Sequence, residues 1–323
     1  MPLRTELLIW GGLPIGVAAI TSLALKAAER IHLHFALRAA QEGPRRPRLR
    51  LPAPAPTYDE DSRYVDEFRG QQVMTAVLAI SHHFCKNGTR DEARKRKAAS
   101  IAHISREIQA LHTSLPLHWE SSVFLAVDEG HMDIMRALII PGGATPYANG
   151  CFVFDVYLPP DYPQVPPKVH FMTTGAGNVR FNPNLYSDGR VCLSLLGTWD
   201  GPSWKPGSST LLQVLVSIQS MIFTEEPYWN EPRHGDRRGR RRDENQSWLY
   251  TLISRYHTLV HAIKPVIRHP PHPFENVCHT HLRLKQQAIR QQCDDWLREA
   301  KGWKYEPQMA HAVEKVKTML RYL

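Results

Sequence analysis

Apolar residues recur at every third or fourth position through residues 90–112, and this period predicts an amphipathic helix with a basic start. Pro116 ends the helix because proline has no backbone N–H to donate. The positions that carry the period are Ile101, Ile104, Ile108, Leu111 and Leu115.

Four runs of strand-like composition come next, with turn residues between them. They cover residues 122–127, 133–140, 151–158 and 168–173. The third run alternates, which places one apolar set on a single face: Phe152, Phe154, Val156 and Leu158. A helix followed by consecutive strands predicts an α+β fold, in which an N-terminal helix packs on a four-stranded antiparallel meander.

Further helices are predicted on both sides of this pattern. A short apolar helix is expected at residues 73–85. After the strands, a buried helix is expected, with Ser208 or Ser209 as its N-cap. Its apolar positions are Leu211, Val214, Leu215, Ile218 and Ile222. Beyond residue 245 the spacing stays helical to the end of the chain, which predicts extra C-terminal helices.

The N-terminal segment is uncharged from Leu7 to Leu25. As a helix it would be about 28 Å long, close to the roughly 30 Å of a bilayer core. Basic residues follow it, so the positive-inside rule predicts a membrane anchor with the rest of the chain facing the cytoplasm. A buried helix and a disordered start are alternatives. Glu6 and Glu29 argue against a mitochondrial presequence, since presequences are poor in acids.

Composition divides the chain into five parts. Residues 1–42 hold the apolar N-terminal segment, and residues 43–66 form a Pro-rich charged linker that cannot build a core. Residues 67–91 are a short helical lead-in. Residues 92–245 are the predicted catalytic domain, and residues 246–323 are its C-terminal helical extension.

Charge and cysteine content narrow the function classes. The 323 residues carry a formal net charge of +9 and 42% hydrophobic residues, so a core can form and acidic partners are possible. Aromatic–basic interleaving and finger spacing are missing, which argues against nucleic-acid binding. The five cysteines are widely spaced, which favours a reducing compartment. The arginine-rich run at 233–242 is predicted to be a solvated loop, with a nuclear signal as the alternative.

Two groups of histidine and cysteine invite a metal interpretation. They are His82, His83 and Cys85, and then Cys278, His279 and His281. The first group lacks a second ligand pair at zinc spacing. The second falls within a predicted amphipathic helix, where packing and surface roles are expected. We therefore predict no metal site in either group.

The strongest chemical signal is a lone cysteine that follows an Asn-Pro-Asn tripeptide. A thiol suits acyl transfer through a thioester, and a side-chain amide can donate a hydrogen bond to the oxyanion that forms. Pro183, Asp188 and Gly189 favour the tight turn that would bring the two together. The pattern predicts Cys192 as the nucleophile, with Asn184 either stabilising the oxyanion or bracing the loop.

Several motifs occur in a fixed order around this cysteine: Tyr147-Ala-Asn-Gly150, Tyr162-Pro-Gln-Val-Pro-Pro-Lys168, Asn182-Pro-Asn184, Cys192 and Trp204-Lys-Pro-Gly207. In this order they resemble the core of ubiquitin-conjugating enzymes over roughly residues 92–232, and most of all the large, extended carriers of that family. Asn182 stands where the family usually has histidine.

The resemblance implies a set of site residues. Cys192 is expected to accept ubiquitin, or a ubiquitin-like modifier, as a thioester, and Asn184 to stabilise the oxyanion. Glu231 is expected to orient or partly deprotonate the acceptor lysine, with a solvated surface acid as the alternative. The expected supporting residues are Asn182, Pro183, Tyr186, Asp188 and Trp204. The loop at residues 197–203 is expected to cover the thioester or to shape the choice of acceptor.

The resemblance also implies partners. An activating enzyme is expected to contact the basic first helix at Arg94, Lys95 and Lys97, and it consumes the ATP, so no cofactor is expected on this chain. A ligase is a further expected partner, although the polar Gln164 disfavours standard RING contact. A catalytically weak or inactive binding module of the same fold is the alternative function, and retention of the cysteine argues against it.

Overall fold

The computed structural model describes residues 57–87, 98–231 and 240–323. The predicted membrane anchor from Leu7 to Leu25 lies outside these ranges. So do the basic residues expected to contact an activating enzyme: Arg94, Lys95 and Lys97. In the described part of the chain, none of the helices is both long and apolar enough to cross a bilayer.

Five strands form one sheet in sequence order: β1 (Val73–Ala76), β2 (Ser122–Asp128), β3 (Ile134–Ile140), β4 (Phe152–Tyr157) and β5 (Lys168–Phe171). Strands β2 to β5 pair antiparallel, with Leu125 opposite Ala137 and Ala137 opposite Phe154. The predicted four-stranded meander is therefore confirmed. Strand β1 adds a parallel edge, with Val73 opposite Leu125, so the whole sheet is mixed.

The described helices are α1 (Tyr58–Phe68), α2 (Ala98–Ser114), α3 (Leu211–Ser217), α4 (Arg240–His257), α5 (Lys264–Arg268), α6 (Glu275–Leu284), α7 (Gln286–Glu299) and α8 (Glu306–Met319). Helix α3 continues into a π-helical turn at Ile218–Ile222, and α4 continues into another at Thr258–Ile263. A 3-10 turn at Pro227–Asn230 precedes α4.

One face of the sheet packs on α2 and α3. Phe152, Phe154, Val156 and Leu158 all belong to this apolar cluster, so the predicted shared face is confirmed. Alternate residues of β2 and β3 join them, because successive side chains of a strand point to opposite faces. Helix α2 contributes Ile104 and Leu111, and α3 contributes Leu211, Val214 and Leu215.

The opposite face is covered by α1 and by the C-terminal helices. Phe124, Leu138 and Tyr157 of the sheet share one buried cluster with residues from the helices, among them Leu252 of α4 and Val313 of α8. All residues of β2, β3 and β4 are consequently buried. The C-terminal extension therefore shares a core with the sheet and completes the fold.

The short helix predicted at residues 73–85 is wrong. Val73–Ala76 is β1, which is extended because its backbone pairs with β2: the N–H of Leu125 donates to Gln72 O at 2.7 Å, and the N–H of Glu129 donates to Ala76 O at 3.1 Å. Pairing with a distant strand overrides the local apolar pattern. Only His83–Asn87 is helical, as a 3-10 turn.

The predicted linker at residues 43–66 also needs correction, because α1 begins within it. The side chain of Thr57 accepts from the backbone N–H of Glu60, and the carboxylate of Glu60 accepts from the N–H of Thr57, which forms a capping box. Tyr64 and Phe68 then bury themselves in the core. The acidic residues that were assigned to the linker instead stabilise the N-terminus of α1.

Two smaller predictions fail for local reasons. The N-cap of α3 is Thr210, which forms a capping box with Gln213. Ser209 instead accepts from the N–H of Lys205 at 3.0 Å and closes the preceding turn. The boundary predicted between residues 245 and 246 falls inside α4, so the catalytic domain and the extension share that helix.

Candidate active site

The Asn-Pro-Asn tripeptide and the cysteine meet in a tight loop. The N–H of Cys192 donates to Asn184 O, and the side-chain Nδ2 of Asn184 donates back to Cys192 O, both at 2.9 Å. The intervening turn closes at Gly189, whose φ is +89° and whose Cβ, if present, would lie 2.1 Å from the His170 ring. A glycine is therefore required there. The predicted proximity of Cys192 and Asn184 is present.

Asn182 is fully buried behind this loop. It forms hydrogen bonds through both the nitrogen and the oxygen of its side-chain amide. Its Nδ2 donates to Ile222 O at 2.7 Å and to the phenol oxygen of Tyr147 at 3.1 Å. Its Oδ1 accepts from the backbone N–H of Asn184 at 2.9 Å and from Nδ2 of Asn230 at 3.2 Å. An amide with donors and acceptors on one side chain therefore fills the position where the family usually has an imidazole.

Asn184 is buried, and its side-chain amide donates a hydrogen bond to the backbone carbonyl of Cys192. That bond fixes the side chain beside the carbonyl of Cys192, which is the bracing role considered from the sequence. Its amide nitrogen carries two N–H groups, so a bracing role and a role toward an oxyanion are compatible.

The Cys192 thiol is partly exposed and free. Burial raises the pKa of the thiol above its ordinary value, while a hydrogen bond from Tyr186 and the charges of Arg190 and Arg180 lower it in part. Burial disfavours the thiolate, and a donor or a nearby cation favours it. The balance keeps the thiol mostly protonated near neutral pH.

The ring of Tyr186 lies between two guanidinium groups. Arg180 lies 4.3 Å from the ring centroid and Arg190 lies 4.5 Å from it. Arg190 also pairs with Asp188 at 2.8 Å, and Arg180 donates to Pro183 O at 2.6 Å. The predicted supporting residues Pro183, Tyr186 and Asp188 therefore hold the two arginines that flank the thiol.

Glu231 lies at the edge of this cluster. Its carboxylate is 3.7 Å from Nη2 of Arg180, and the two side chains are 29% and 33% exposed. The group is therefore half-buried and paired, which differs from the fully solvated acid considered as the alternative. Pairs this exposed contribute little to folding stability.

Trp204 anchors the segment after the cysteine to the proline-rich loop. Its indole N–H donates to Pro163 O at 2.8 Å, and its ring lies 5.6 Å from the ring of Tyr162. Gln164, in the same proline-rich loop, is exposed. Trp204 thus ties its own segment to the proline-rich loop.

The loop at residues 197–203 is held at its first turn by hydrogen bonds of Thr198. The hydroxyl of Thr198 donates to Val191 O at 2.8 Å and accepts from the N–H of Leu193 at 3.0 Å. These bonds link the loop to the residues on either side of the cysteine. Residues 201–203 are exposed.

The histidine and cysteine groups have packing and surface roles. Cys278 and His281 are buried on α6, while His279 is exposed on the same helix. His82 is buried and its Nε2 lies 2.7 Å from Met135 O. Among the described residues, no cluster of three or more His, Cys, Asp or Glu side chains has the arrangement of a metal site.

The sequence reasoning missed four residues that hold the loop: Tyr147, Arg180, Arg190 and Asn230. Arg180 lies two positions before Asn182 and Arg190 two positions before Cys192, so their nearness was a usable signal. Tyr147 and Asn230 lie 35 and 48 residues from Asn182. No local pattern connects residues that far apart.

Comparison with known proteins agrees with this arrangement. The sequence model of the ubiquitin-conjugating enzyme family matches residues 103–252, which include strands β2 to β5, the loop from Asn182 to Cys192 (the catalytic loop) and most of α4. These residues match the core of ubiquitin-conjugating enzymes. The fold around the core is α+β, with the mixed sheet and several additional C-terminal helices.

Curated relatives share more of the chain than this core. The human "Dual E2 ubiquitin-conjugating enzyme/E3 ubiquitin-protein ligase BIRC6" is 48% identical over 62% of this chain and 4% of its own length. The Caenorhabditis elegans "Probable ubiquitin-conjugating enzyme protein 17" is 46% identical over 60% of this chain and 27% of its own. The Arabidopsis thaliana "Putative ubiquitin-conjugating enzyme E2 38" is 38% identical over 66% and 63%.

The chain thus covers less than two thirds of each of these relatives, and only a small part of the human one. The family match extends past the catalytic loop into α3 and α4. The resemblance to large, extended carriers expected from the sequence is confirmed for the ubiquitin-conjugating core.

Proposed function

We propose that this chain is a ubiquitin carrier, which takes ubiquitin or a ubiquitin-like modifier from an activating enzyme as a thioester on Cys192 and transfers it to a substrate lysine. The observation that carries the proposal is the geometry of the loop. A partly exposed thiol, hydrogen-bonded by Tyr186, lies beside the side-chain amide of Asn184.

Loading begins when the Cys192 thiolate attacks the carbonyl carbon of the thioester on the activating enzyme. The new C–S bond to Cys192 forms, and the C–S bond to the activating enzyme breaks as its thiolate leaves. Only the thiolate reacts, so the loading rate depends on the fraction of ionised Cys192. Tyr186, Arg180 and Arg190 favour that ionised form.

Discharge reverses the role of Cys192. The neutral amine of a lysine attacks the same carbonyl carbon, an N–C bond forms, the C–S bond breaks with thiolate as the leaving group, and the amine releases its proton. Asn184 is assigned to hydrogen-bond the transient oxyanion. Glu231 is assigned to orient the incoming lysine, because a carboxylate already paired with Arg180 suits positioning better than proton abstraction.

The partners follow from this activity. An activating enzyme supplies the thioester and consumes the ATP, and a substrate supplies the lysine. The basic residues Arg94, Lys95 and Lys97 are assigned to contact with the activating enzyme. The exposed, polar Gln164 argues for a ligase contact other than the standard RING type.

The proposal is tested by incubating the full chain with activating enzyme, ATP and ubiquitin. The products are separated on reducing and non-reducing gels. We expect an adduct that a thiol reductant removes from the native protein. Cys192→Ala should form none, and Cys192→Ser should form an oxyester that resists reduction.

Cys85→Ser is the matched control, because Cys85 is also a partly exposed cysteine outside any disulfide. It should load like the native protein. An adduct that persists in Cys192→Ala would assign the nucleophile elsewhere. A native chain that never loads with any modifier would favour the inactive binding module.

A further inference from the structure

The C-terminal extension reaches the catalytic loop through Tyr147. This side chain is fully buried, donates to Phe181 O at 2.8 Å and accepts from Nδ2 of Asn182 at 3.1 Å. The residue before it, Pro146, accepts from the hydroxyl of Thr258, in the π-helical turn that continues α4, at 2.9 Å. Pro146 and Tyr147 therefore join the extension to the backbone and side chain at the start of the tripeptide.

From Tyr147 the hydrogen bonds continue to the cysteine without a gap. Asn182 accepts from the backbone N–H of Asn184 at 2.9 Å, and Asn184 donates to Cys192 O at 2.9 Å. The chain of contacts therefore runs from Tyr147 through Asn182 and Asn184 to Cys192. Every side chain before the cysteine is buried, and buried hydrogen bonds of this kind restrict geometry strongly.

The extension also fixes the turn that carries Tyr147. On one side of the turn, Thr258 Oγ1 donates to Pro146 O at 2.9 Å. On the other, the N–H of Cys151 donates to Ala262 O at 2.9 Å. Between them, Gln292 of α7 donates to Ala148 O at 3.0 Å. The turn is thus bonded to helical segments after residue 250 at several points.

Gly150 shows how closely the extension approaches this turn. A Cβ built there would lie 3.0 Å from Thr258 Cγ2, 3.1 Å from Ala262 Cβ and 2.7 Å from the ring of Phe152. A side chain would push the turn and the extension apart. The contact leaves little freedom for one to move without the other.

We propose that the C-terminal helices position the catalytic loop through Tyr147, and that this contact controls discharge of the thioester more than its formation. The proposal rests on the assigned role of Cys192. During loading, the electrophilic carbon belongs to the activating enzyme, so that enzyme supplies part of its surroundings. During discharge, the electrophile is held on Cys192, and the placement of Asn184 depends on this chain alone. Tyr147 is a positioning residue, because it acts through Asn182, and Thr258 is one because it holds the residue before Tyr147.

The test compares two variants of the full chain that each lose one buried phenol hydroxyl. Tyr147→Phe removes the hydroxyl that donates to Phe181 O and accepts from Asn182. Tyr64→Phe is the matched control: Tyr64 is equally buried, and its phenol lies 2.9 Å from His281 Nδ1 in the extension, away from the catalytic loop. Each protein is loaded with ubiquitin, the activating enzyme is stopped, and release to free lysine is followed in a single turnover.

We expect Tyr147→Phe to slow discharge about tenfold, because small displacements of a positioned group cost rates of this order. Loading should stay within about twofold of the native rate, since a neutral hydrogen bond at this distance leaves the thiol itself unchanged. Tyr64→Phe should lower the melting temperature comparably and leave both rates unchanged. Native discharge in Tyr147→Phe, or equal slowing in Tyr64→Phe, would overturn the proposal.

Thr258→Val provides a second and milder variant, which decides the matter if Tyr147→Phe does not fold. It removes the bond from the extension to Pro146 O, and valine keeps the branched shape of threonine. We expect discharge to slow about threefold, the equivalent of part of one neutral hydrogen bond. Normal discharge in Thr258→Val would exclude control by the extension. Failure of every protein, native included, to load would instead contradict the role of Cys192.

Discussion

The catalytic loop has two sides that are built from different chemistry. Behind it lie Asn182, Tyr147 and Asn230, which are neutral and joined by short hydrogen bonds, with the first two fully buried. In front lie Arg180, Arg190, Asp188 and Glu231 around Tyr186, all partly or largely exposed. The thiol of Cys192 lies between a neutral network and a charged one.

The difference teaches which property each side controls. Buried neutral bonds are short-ranged and insensitive to salt, so the rear network sets the position of the loop. Exposed charges act at a distance and are screened by ions. The front network therefore tunes the ionisation of Cys192, and it is the side proposed to contact the acceptor lysine. Mutations behind the loop should therefore change geometry and stability, while mutations in front should change the dependence on pH and salt.

The largest effect is expected from Asn182→Ala. The change leaves the buried N–H of Asn184 without its acceptor and removes one donor from the phenol oxygen of Tyr147. An unpaired buried group costs about 1–3 kcal/mol, and we expect the free energy of unfolding to fall by about 2 kcal/mol. Displacement of Asn184 should slow discharge about a hundredfold. Chemical denaturation and single-turnover discharge measure the two effects.

Asn182→His is the informative companion, because histidine is the usual residue of the family. A neutral imidazole has one donor and one acceptor, whereas Asn182 uses two donor contacts and two acceptor contacts here. We expect activity between those of the native protein and Asn182→Ala. Full native activity in either variant would remove the distinction between the two sides of the loop.

The front of the loop was easier to anticipate from the sequence than the rear. The tripeptide, the turn residues and Cys192 are close in sequence, so local turn chemistry was enough to bring them together. The strands β2 to β5 were predictable for a similar reason, because strand-like runs bounded by turn residues are a local signal. The rear network depends on Tyr147 and Asn230, and only the completed fold brings them to Asn182.

The same limit explains the errors at the edge of the sheet. Val73–Ala76 is an apolar run whose local pattern allows either a helix or a strand, and its pairing with β2 decides between them.

The second face of β4 includes Asp155, which the alternating pattern would place in solvent. It is buried because the extension covers that face and Arg136 forms a bidentate pair with it at 2.6 and 3.1 Å.

A smaller effect, confined to ionisation, is expected from Tyr186→Phe. The phenol lowers the pKa of Cys192 by a hydrogen bond, so its loss should raise that pKa further above the ordinary value. Less thiolate is then present at neutral pH. Loading should slow about threefold to tenfold, the equivalent of one neutral hydrogen bond. Loading rates measured across a pH series should show the profile displaced to higher pH.

The ring itself serves as the control in this variant. Phenylalanine keeps an aromatic face between Arg180 and Arg190, so the position of the loop should be preserved. At pH values where both thiols are ionised, the variant and the native protein should load at equal rates. A uniform loss of rate at every pH would show that Tyr186 acts on geometry and would make the front of the loop resemble the rear.

The smallest effect is expected from Glu231→Gln. Arg180 would lose its partly exposed ion pair but keep its bond to Pro183 O and its place over Tyr186, so stability should change by less than about 1 kcal/mol. Discharge to lysine should slow about threefold, and 1 M salt should reduce the difference because ions screen the carboxylate. Asp188→Asn is the matched control, since Asp188 pairs with the other arginine on the same ring. Equal slowing in both variants would mean that the front network acts through its total charge, whereas slowing in Glu231→Gln alone would assign the contact with the acceptor to Glu231.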